Sequence, residues 1–362
     1  MQKIKVGILG ATGMVGQNYI RLLDNHPWFE VSYLAASPRS AGKKYSKAVE
    51  GRWLMPLTIP EAVKDIVVEN AVDIDSAKGK CSLVFSAVSL DKDKAKQLEL
   101  EYAEAGFAVV SNNSAHRHSD DVPMLIPEVN ANHIEIIDTQ RKNNGWDKGL
   151  LAVKPNCSVQ SYVTPIHALR EKGYQIDKMI VTTLQALSGA GYPGPSSFDM
   201  IDNIVPYIGG EEEKSELEPQ KILGSIENGK FVYDSSINIS AHCNRVPVID
   251  GHTACVSMNF KGEKPEINEI IDIWDNFTAL PQELELPSAP VQPIIVRHEV
   301  DRPQPRKDRD KDKAMAVSVG RLREGNVFDY RFVGLSHNTV RGAAGGAILM
   351  AELLLAKEYV NS

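Results

Sequence analysis

The chain has little of what several large protein classes need. Its 362 residues include only four cysteines, Cys81, Cys157, Cys243 and Cys255, with no C-x-x-C pair, so neither a disulfide framework nor a cysteine zinc site is indicated. No window approaches the roughly 18 consecutive apolar residues that a membrane-spanning helix requires. The opening residues lack the apolar region of a signal peptide and predict a strand. Reduced thiols and the missing signal favour a cytoplasmic protein without a membrane segment.

Positive charge is not in excess either. Lys and Arg number 40 against 47 Asp and Glu, which gives a formal net charge of −7. Binding to a phosphate backbone depends on clustered Lys and Arg, so this balance disfavours a nucleic-acid partner. The 43% of hydrophobic residues is typical of a globular protein, and roughly 150 residues per domain predicts about two domains. Small-molecule chemistry is therefore the favoured class of function.

Short apolar runs alternate with amphipathic helical segments through the first half of the chain. Strands are predicted at 4–9, 30–36, 83–88 and 108–111, and helices at 13–25 and 92–105. This alternation predicts an α/β domain with a parallel sheet covered by helices. Longer strand-like runs follow Cys157, at 178–185, 252–260, 314–323 and 327–335. They predict a second, α+β domain with a mostly antiparallel sheet, and the tail at 341–359 predicts a helix.

A glycine-rich turn follows the first predicted strand and opens the first predicted helix. It consists of Gly10, Ala11, Thr12, Gly13, Met14, Val15 and Gly16. Glycines at such a turn let backbone amides approach a pyrophosphate at a helix N-terminus. Strand, turn, helix and second strand occur in order within about 35 residues. The spacing therefore predicts dinucleotide binding in a Rossmann fold, and a tight turn without a ligand is the alternative.

The second predicted strand ends without a carboxylate. NAD-binding domains place an acidic residue there for the ribose 2′-hydroxyl, whereas this chain has Ser37, Arg39 and Ser40. Arg39 and the serine hydroxyls suit a 2′-phosphate, because Arg matches phosphate oxygens with paired donors. We therefore predict NADP as the cofactor, with a solvated Arg39 as the alternative.

A cysteine, an arginine and a histidine are the candidate chemical groups. Cys157 precedes a segment with helical apolar spacing, and the start of a helix lowers the pKa of a thiol. Arg245 and His252 lie seven residues apart on a strand-like stretch, where one can hold a substrate carboxylate and the other can transfer a proton. Each of these residue types is more often structural when it stands alone. The prediction of an active site therefore depends on the whole group.

A charge-rich stretch with prolines occupies residues 301–313. Its prolines forbid a regular central strand, and its positive and negative charges largely cancel. We predict a solvated loop, with a cationic patch for a charged ligand as the alternative.

Taken together, the motifs resemble those of the aspartate-semialdehyde dehydrogenase family. They are the glycine turn 10–16, Asn156-Cys157-Ser158, the segment QALSGAG at 185–191, Arg245-Val246-Pro247-Val248 with Gly251-His252, and Gly342-Ala343-Ala344-Gly345. They span the chain in the right order, and segments 211–214 and 302–306 fit the archaeal and fungal branch. The resemblance implies three parts. Residues 1–155 would be an NADP-binding Rossmann domain, 156–337 a catalytic and dimerisation domain, and 338–362 a C-terminal helix that returns to the first domain.

The resemblance also implies a role for each site residue. Cys157 would be the acyl-accepting nucleophile, His252 the acid/base, and Gln185 the residue that orients the acyl group. The implied substrate-binding residues are Arg245 for the α-carboxylate, Glu218 for the amine, Lys221 and Arg117 near phosphate, and Asn156. The implied cofactor contacts beyond the first domain are Ser188, Gly189 and Asn338. The chain departs from the family pattern at Val159-Gln160, beside the nucleophile.

The implied activity is the NADPH-dependent reductive dephosphorylation of L-aspartyl 4-phosphate to L-aspartate 4-semialdehyde, a step of lysine, threonine and methionine biosynthesis. It proceeds through a cysteine thioester and needs no metal. The implied partners are the small-molecule substrate, inorganic phosphate and further copies of the chain in a homodimer or homotetramer. Malonyl-CoA reductases use the same thiol and nicotinamide, and N-acetylglutamyl-phosphate reductase performs the same type of reaction. The motifs alone leave these alternatives open, whereas a domain that lost catalysis is disfavoured because the whole active-site group is present.

Overall fold

A computed structural model of the chain describes residues 2–360. Its N-terminal part contains a six-stranded parallel sheet in the order β3-β2-β1-β4-β5-β6. The strands are β1 (Ile4–Leu9), β2 (Phe29–Ala36), β3 (Val68–Asn70), β4 (Leu83–Ser86), β5 (Ala108–Ser111) and β6 (Leu150–Val153). This is the strand order of dinucleotide-binding Rossmann domains, so the prediction of a parallel α/β domain is confirmed.

The centre of this sheet positions the glycine turn. β1 is buried at five of its six positions, because helices cover both faces of a parallel sheet. It pairs with β2 on one side and β4 on the other, and the chain changes direction across the sheet at this point. Such a reversal leaves a crevice at the carboxyl ends of the strands. Gly10, at φ 83°, begins the turn there, and the helix Met14–Leu23 follows directly.

The second sheet is mixed, which corrects the prediction of a mostly antiparallel sheet. It has six strands in the order β10-β7-β11-β14-β13-β12. Its members are β7 (Ile176–Gln185), β10 (Asn238–Arg245), β11 (His252–Phe260), β12 (Ile294–Arg297), β13 (Val317–Glu324) and β14 (Tyr330–Ser336). Between β7 and β10, the strands β8 (Ser225–Glu227) and β9 (Lys230–Val232) form a separate hairpin. The β10–β7 and β12–β13 pairs are parallel, whereas the β11 pairs and β13–β14 are antiparallel. The reason is the long connection between β7 and β10, since a crossover through a helix returns the chain in the same direction.

Helices fill the connections between strands. Those of nine or more residues are Met14–Leu23, Lys92–Glu104, Ile136–Asn144, Val163–Glu171, Glu211–Ile222, Ile267–Asp275 and Gly345–Ala356. Helices of four residues are Tyr45–Ala48, Glu61–Lys64, Pro127–Asn130, Ser197–Met200, Leu280–Glu283, Pro305–Asp308 and Lys311–Ala314. Within residues 2–360, no helix is long and apolar enough to cross a membrane.

The last helix belongs to the core of the first sheet. Ile348 and Leu353 of Gly345–Ala356 lie in the same buried cluster as Val6 and Ile8 of β1. This packing agrees with the predicted return of the C-terminal helix. The boundaries after residues 155 and 337 stay predictions, and residues 361–362 of the third predicted part lie outside the described residues.

Residues 301–313 differ from the predicted solvated loop. Asp308 is 1% exposed, and it accepts hydrogen bonds from Arg302 Nε at 2.6 Å and from the Gln304 backbone N–H at 2.7 Å. Arg309 Nη1 donates to the Asp250 carbonyl oxygen at 3.0 Å. The segment is therefore anchored behind the start of β11, the strand on which His252 lies.

Candidate active site

Cys157 lies in the turn between β6 and the 3-10 helix Val159–Ser161. Asn156 Oδ1 holds this turn by accepting hydrogen bonds from the Ser158 hydroxyl at 2.6 Å and from the Ser158 backbone N–H at 2.8 Å. The thiol is partly exposed, and Gly342 packs so closely that a β-carbon there would lie 2.9 Å from Cys157 Cβ. The α-helix begins only at Val163, so Cys157 is not at its first turn as the sequence suggested. Burial instead raises the pKa of Cys157 to about 11, and the Glu211 carboxylate raises it further.

Gln185, Arg245 and His252 come together at the ends of three neighbouring strands. Arg245 and Gln185 are direct partners in the parallel pairing of β10 with β7, and His252 is the first residue of β11. Arg245 Nη1 donates to the Ala186 carbonyl oxygen at 2.8 Å. Gly189 packs against two of these groups, since a β-carbon there would lie 2.7 Å from Arg245 Nη1 and 3.0 Å from His252 Nε2.

The hydrogen bonds of His252 determine its tautomer. The Ala186 backbone N–H donates to Nδ1 at 3.0 Å, so the neutral ring carries its proton on Nε2. Nε2 is buried and has no hydrogen-bond partner in the described part of the chain. Burial, reinforced by the neighbouring Arg245 guanidinium, lowers the pKa of His252 to about 3. His252 therefore presents a free N–H donor in the site.

Glu211 connects the turn of Cys157 to Gln185. Its carboxylate accepts from Asn156 Nδ2 at 2.9 Å, from Gln185 Nε2 at 3.1 Å and from Lys214 Nζ at 2.8 Å. Although burial acts to raise the pKa of Glu211, the Lys214 ammonium and these hydrogen bonds hold it below its usual value. The carboxylate is thus ionised and fixed beside the thiol.

Arg117, Glu218 and Lys221 form a second group beside the first. Glu218 is fully buried, and its two oxygens accept from Arg117 Nη1 at 2.8 Å and from the Asn156 backbone N–H at 2.6 Å. Lys221 Nζ donates to the carbonyl oxygens of Arg117, Ser119 and Val122 at 2.8 to 2.9 Å. Burial lowers the pKa of Lys221 to about 7. Lys221 and Glu218 therefore hold Arg117 and its loop in place.

The glycine turn lines a cavity of about 300 Å³ at the carboxyl ends of β1, β2 and β4. Of the predicted cofactor contacts in the first domain, Gly10, Thr12, Gly13, Ser37 and Arg39 line it directly. Ala11 and Gly16 are buried under the turn, Met14 and Val15 are in the first turn of the helix, and Ser40 is buried outside the cavity. The lining contains no carboxylate and includes a second guanidinium, that of Arg52. A phosphorylated ribose fits this donor set, which has cations where an unphosphorylated ribose needs an acceptor.

The remaining predicted cofactor contacts adjoin His252. Asn338 Nδ2 donates to Ser188 Oγ at 2.8 Å, and Asn338 Oδ1 accepts from the Gly251 backbone N–H at 2.8 Å. Gly189 follows Ser188 and packs on His252. Among residues 2–360, no group of three or more His, Cys, Asp or Glu side chains is placed to hold a metal ion.

Comparisons with known proteins agree with this arrangement. The family model described as "Semialdehyde dehydrogenase, NAD binding domain" matches residues 5–137, and "Semialdehyde dehydrogenase, dimerisation domain" matches residues 166–341. The aspartate-semialdehyde dehydrogenase of Schizosaccharomyces pombe is 45% identical over 98% of this chain and 98% of its own. That of Methanothermobacter thermautotrophicus is 47% identical over 97% of this chain and 99% of its own. The chain belongs to the aspartate-semialdehyde dehydrogenase family.

Solved structures extend the likeness to three dimensions. The aspartate-semialdehyde dehydrogenase of Candida albicans with NADP has a TM-score of 0.90 at 45% identity, covering 99% of this chain and 100% of that one. The Vibrio cholerae enzyme II complexed with ASA has a TM-score of 0.75 at 25% identity, covering 98% and 99%. The predicted family, with a dinucleotide-binding domain and a dimerisation domain, is thereby confirmed.

Sequence reasoning missed three residues of this member of the aspartate-semialdehyde dehydrogenase family. They are Glu211, which contacts Gln185 and Asn156, Arg52, which lines the cofactor cavity, and Lys154, which lies buried three residues before Cys157. Only Glu211 had a usable signal, because Glu211 and Lys214 repeat the acid-x-x-Lys spacing of Glu218 and Lys221. Arg52 lies in a turn after the helix Tyr45–Ala48, where no pattern relates it to the glycine turn.

Proposed function

We propose that the chain catalyses the NADPH-dependent reductive dephosphorylation of L-aspartyl 4-phosphate to L-aspartate 4-semialdehyde. The observation that carries the proposal is the convergence of Cys157, Gln185, Arg245 and His252 around Gly189 and Glu211. Relatives that share 44–47% of their residues with the chain carry the aspartate-semialdehyde dehydrogenase name. Such an enzyme acts in the biosynthesis of lysine, threonine and methionine.

Cys157 begins the reaction. Its thiolate attacks the carbonyl carbon of the acyl phosphate, the carbon–oxygen bond to phosphate breaks, and inorganic phosphate leaves with the bonding electrons. The product of this step is a thioester on Cys157 Sγ. A thiolate suits both halves of the reaction because it attacks well near neutral pH and later leaves well.

His252 acts on the carbonyl oxygen. Its Nε2–H has no protein partner among the described residues and is free to donate to the acyl oxygen. When bound, NADPH supplies the hydride that reduces the thioester. Hydride addition turns the carbonyl oxygen into an oxyanion, which the Nε2–H of the neutral imidazole stabilises by a hydrogen bond. The oxyanion then collapses to the aldehyde as the Cys157 thiolate departs, so His252 keeps its proton throughout.

Two charged groups recognise the ends of the substrate. The Arg245 guanidinium makes a single hydrogen bond to the protein within residues 2–360, so its other donors remain for the α-carboxylate. Both carboxylates accept hydrogen bonds at both oxygens, but Glu211 is 8% exposed and contacts Gln185 beside the thiol, whereas Glu218 is fully buried against Arg117. We therefore assign the substrate amine to Glu211, and we assign to Glu218 the positioning of Arg117, with Lys221, for the phosphate.

These charges favour aspartyl phosphate over the alternatives. The N-acylated amine of N-acetylglutamyl phosphate is neutral, so it would place no positive charge beside Glu211. The malonyl group of malonyl-CoA has no amine at all. The proposed assembly is a homodimer or homotetramer through the second domain, to which the dimerisation model corresponds.

The activity is tested in the reverse direction. With L-aspartate semialdehyde, NADP⁺ and inorganic phosphate, we expect reduced nicotinamide to form, and we expect none when phosphate is omitted. Phosphate dependence shows that an acyl phosphate is formed, because phosphate must accept the acyl group from the Cys157 thioester. Without phosphate the enzyme stays acylated and stops after one turnover. Absence of the signal, with oxidation of NADPH by malonyl-CoA in its place, would contradict the proposal.

Arg39→Ala is expected to weaken NADP⁺ selectively. A hydrogen bond to a charged group contributes about 1.5–3 kcal/mol, so the KM for NADP⁺ should rise about tenfold to a hundredfold while that for NAD⁺ stays unchanged. Steady-state kinetics with both nucleotides measures the ratio. Lys44→Ala, which removes an exposed nearby cation paired with Asp65, is the control. An unchanged NADP⁺ to NAD⁺ ratio in Arg39→Ala would assign the 2′-phosphate to Arg52 instead.

A further inference from the structure

The resting structure leaves the proton of the Cys157 thiol without an acceptor in the mechanism above. The pKa of this thiol is raised to about 11, so a cation must stabilise its thiolate or a base must take its proton. His252 is not placed to be that base, because its Nδ1 already accepts from the Ala186 N–H and its Nε2 carries the proton. To accept a proton at Nε2, the ring would need the tautomer that carries its proton on Nδ1. That Nδ1–H would then point at the Ala186 N–H.

Lys154 is the buried basic group that the mechanism does not use. It follows β6 directly and is 1% exposed. Within residues 2–360 its Nζ makes one hydrogen bond, 3.4 Å to the carbonyl oxygen of Pro155, and no ion pair. An ammonium buried with so few partners is costly, so the neutral amine is accessible near neutral pH. Consistently, burial lowers the pKa of Lys154 to about 7.

The packing directs Lys154 to the same helical segment as Cys157. Gly342 contacts Cys157 and Gly346 contacts Lys154, where a β-carbon would lie 2.9 Å from Cε. Gly342 lies in the π-helical turn Val340–Ala344, and Gly346 lies at the start of the helix Gly345–Ala356 that follows it directly. The two side chains therefore pack against consecutive turns of one helical segment. The Pro155 carbonyl that Nζ approaches is two residues from Cys157.

The other charged groups around Lys154 are already engaged. Glu128 and Arg341 line the same small cavity and form a buried ion pair of 2.8 Å with each other. Arg117 and Glu218 pair with each other at the same distance. Burial and the Glu211 carboxylate raise the pKa of Cys157. Among the cations that lower this pKa, Lys154 has the largest effect, followed by Arg117 and Arg245.

We propose that Lys154 takes up the proton of the Cys157 thiol and serves as the counter-cation of the thiolate. The proton leaves Sγ and is bound at Nζ, so the pair changes from thiol and amine to thiolate and ammonium with no change in net charge. When the thiolate is released at the end of the cycle, the proton returns from Nζ to Sγ, and the resting enzyme again holds the thiol and the amine. The inference deepens the proposed function, on which it rests.

The test measures the reactivity of Cys157 without substrate. Iodoacetamide alkylation of the full chain is followed by mass spectrometry of the Cys157 peptide across about pH 6 to 10. In a coupled pair, the first proton lost belongs to both groups, so the thiolate of Cys157 appears as the pair loses it. The wild-type alkylation rate should therefore show an inflection near pH 7, where Lys154 titrates. In Lys154→Met the inflection should disappear and the rate at about pH 8 should fall at least about tenfold, which corresponds to one pKa unit.

Two further variants keep the test decisive. Lys154→Gln is a second neutral replacement, and Lys221→Met removes the other lysine whose pKa is near 7. The proposal expects the inflection to be lost in both Lys154 variants and kept in Lys221→Met. It also expects the melting temperature of Lys154→Met to stay equal or rise, since a buried amine with one long hydrogen bond is removed, whereas a structural lysine would lower it.

An inflection that persists in Lys154→Met and Lys154→Gln, or that is lost in Lys221→Met instead, would overturn the proposal. Failure of the proposed function is a separate result. It appears as absent phosphate-dependent turnover in the wild type, and the alkylation profile does not depend on it.

Discussion

Replacing Cys157 with alanine is expected to reduce turnover on the order of 10,000-fold or more, while NADP⁺ binding is unchanged. The loss should be large because the proposed thioester forms on Cys157 Sγ, and within residues 2–360 the neighbouring hydroxyl is not free to attack instead. Ser158 is fully buried, and its hydroxyl donates to Asn156 Oδ1. Steady-state turnover with L-aspartate semialdehyde, together with NADP⁺ titration by fluorescence or calorimetry, measures both quantities.

Cys255→Ala is the matched control for this prediction. Cys255 is the exposed cysteine of β11 and has no role in the proposed chemistry, so its removal should leave turnover unchanged. Turnover by Cys157→Ala within about tenfold of the wild type would contradict covalent catalysis at this residue.

The first domain was predictable because local pattern and tertiary structure agree there. Buried parallel strands are apolar on both faces, so β1 and β5 were predicted with the bounds they have. The glycine turn is likewise local, since strand, turn and helix are consecutive in sequence. Its role at the cofactor cavity followed from the same arrangement.

The helix Glu211–Ile222 shows why part of the site could not be predicted. Its buried face carries Glu211, Ser215, Glu218 and Ile222, at spacings of four, three and four residues. Hydrophobic periodicity detects a helix through an apolar stripe, and here most of the stripe is polar. The glutamates are buried because Asn156, Gln185 and Arg117, from distant parts of the chain, supply their hydrogen bonds. A single sequence does not reveal such partners.

The tautomer of His252 was also beyond sequence reasoning, although the residue itself was predicted. It depends on the Ala186 N–H, which reaches Nδ1 only because β7 and β11 are neighbours in the second sheet. The mixed order of that sheet is set by long-range pairing. The sequence motif therefore indicated the imidazole, and the fold determines that Nε2 is the nitrogen left free to donate.

His252→Ala is expected to lower kcat by about 100- to 10,000-fold with a small change in the KM for the semialdehyde. In the proposed mechanism, Nε2–H donates to the oxygen that gains charge during the reaction, whereas Arg245 holds the carboxylate in both ground and transition states. His252→Gln should recover part of the loss, because its amide places an N–H donor at similar reach. His298→Ala, which removes an exposed histidine, is the control for loss of an imidazole.

The pH dependence separates this role from that of a base for the thiol. Because burial and Arg245 lower the pKa of His252 to about 3, its imidazole is neutral from mildly acidic pH upward and contributes no ionisation near its ordinary value. The near-neutral inflection in Cys157 alkylation should therefore survive in His252→Ala, even though turnover collapses. If His252 were the base that activates the thiol, the same substitution would abolish the inflection and the reactivity together. Measuring alkylation and turnover on one preparation of the variant thus distinguishes a hydrogen-bond donor to the acyl oxygen from an activator of the nucleophile.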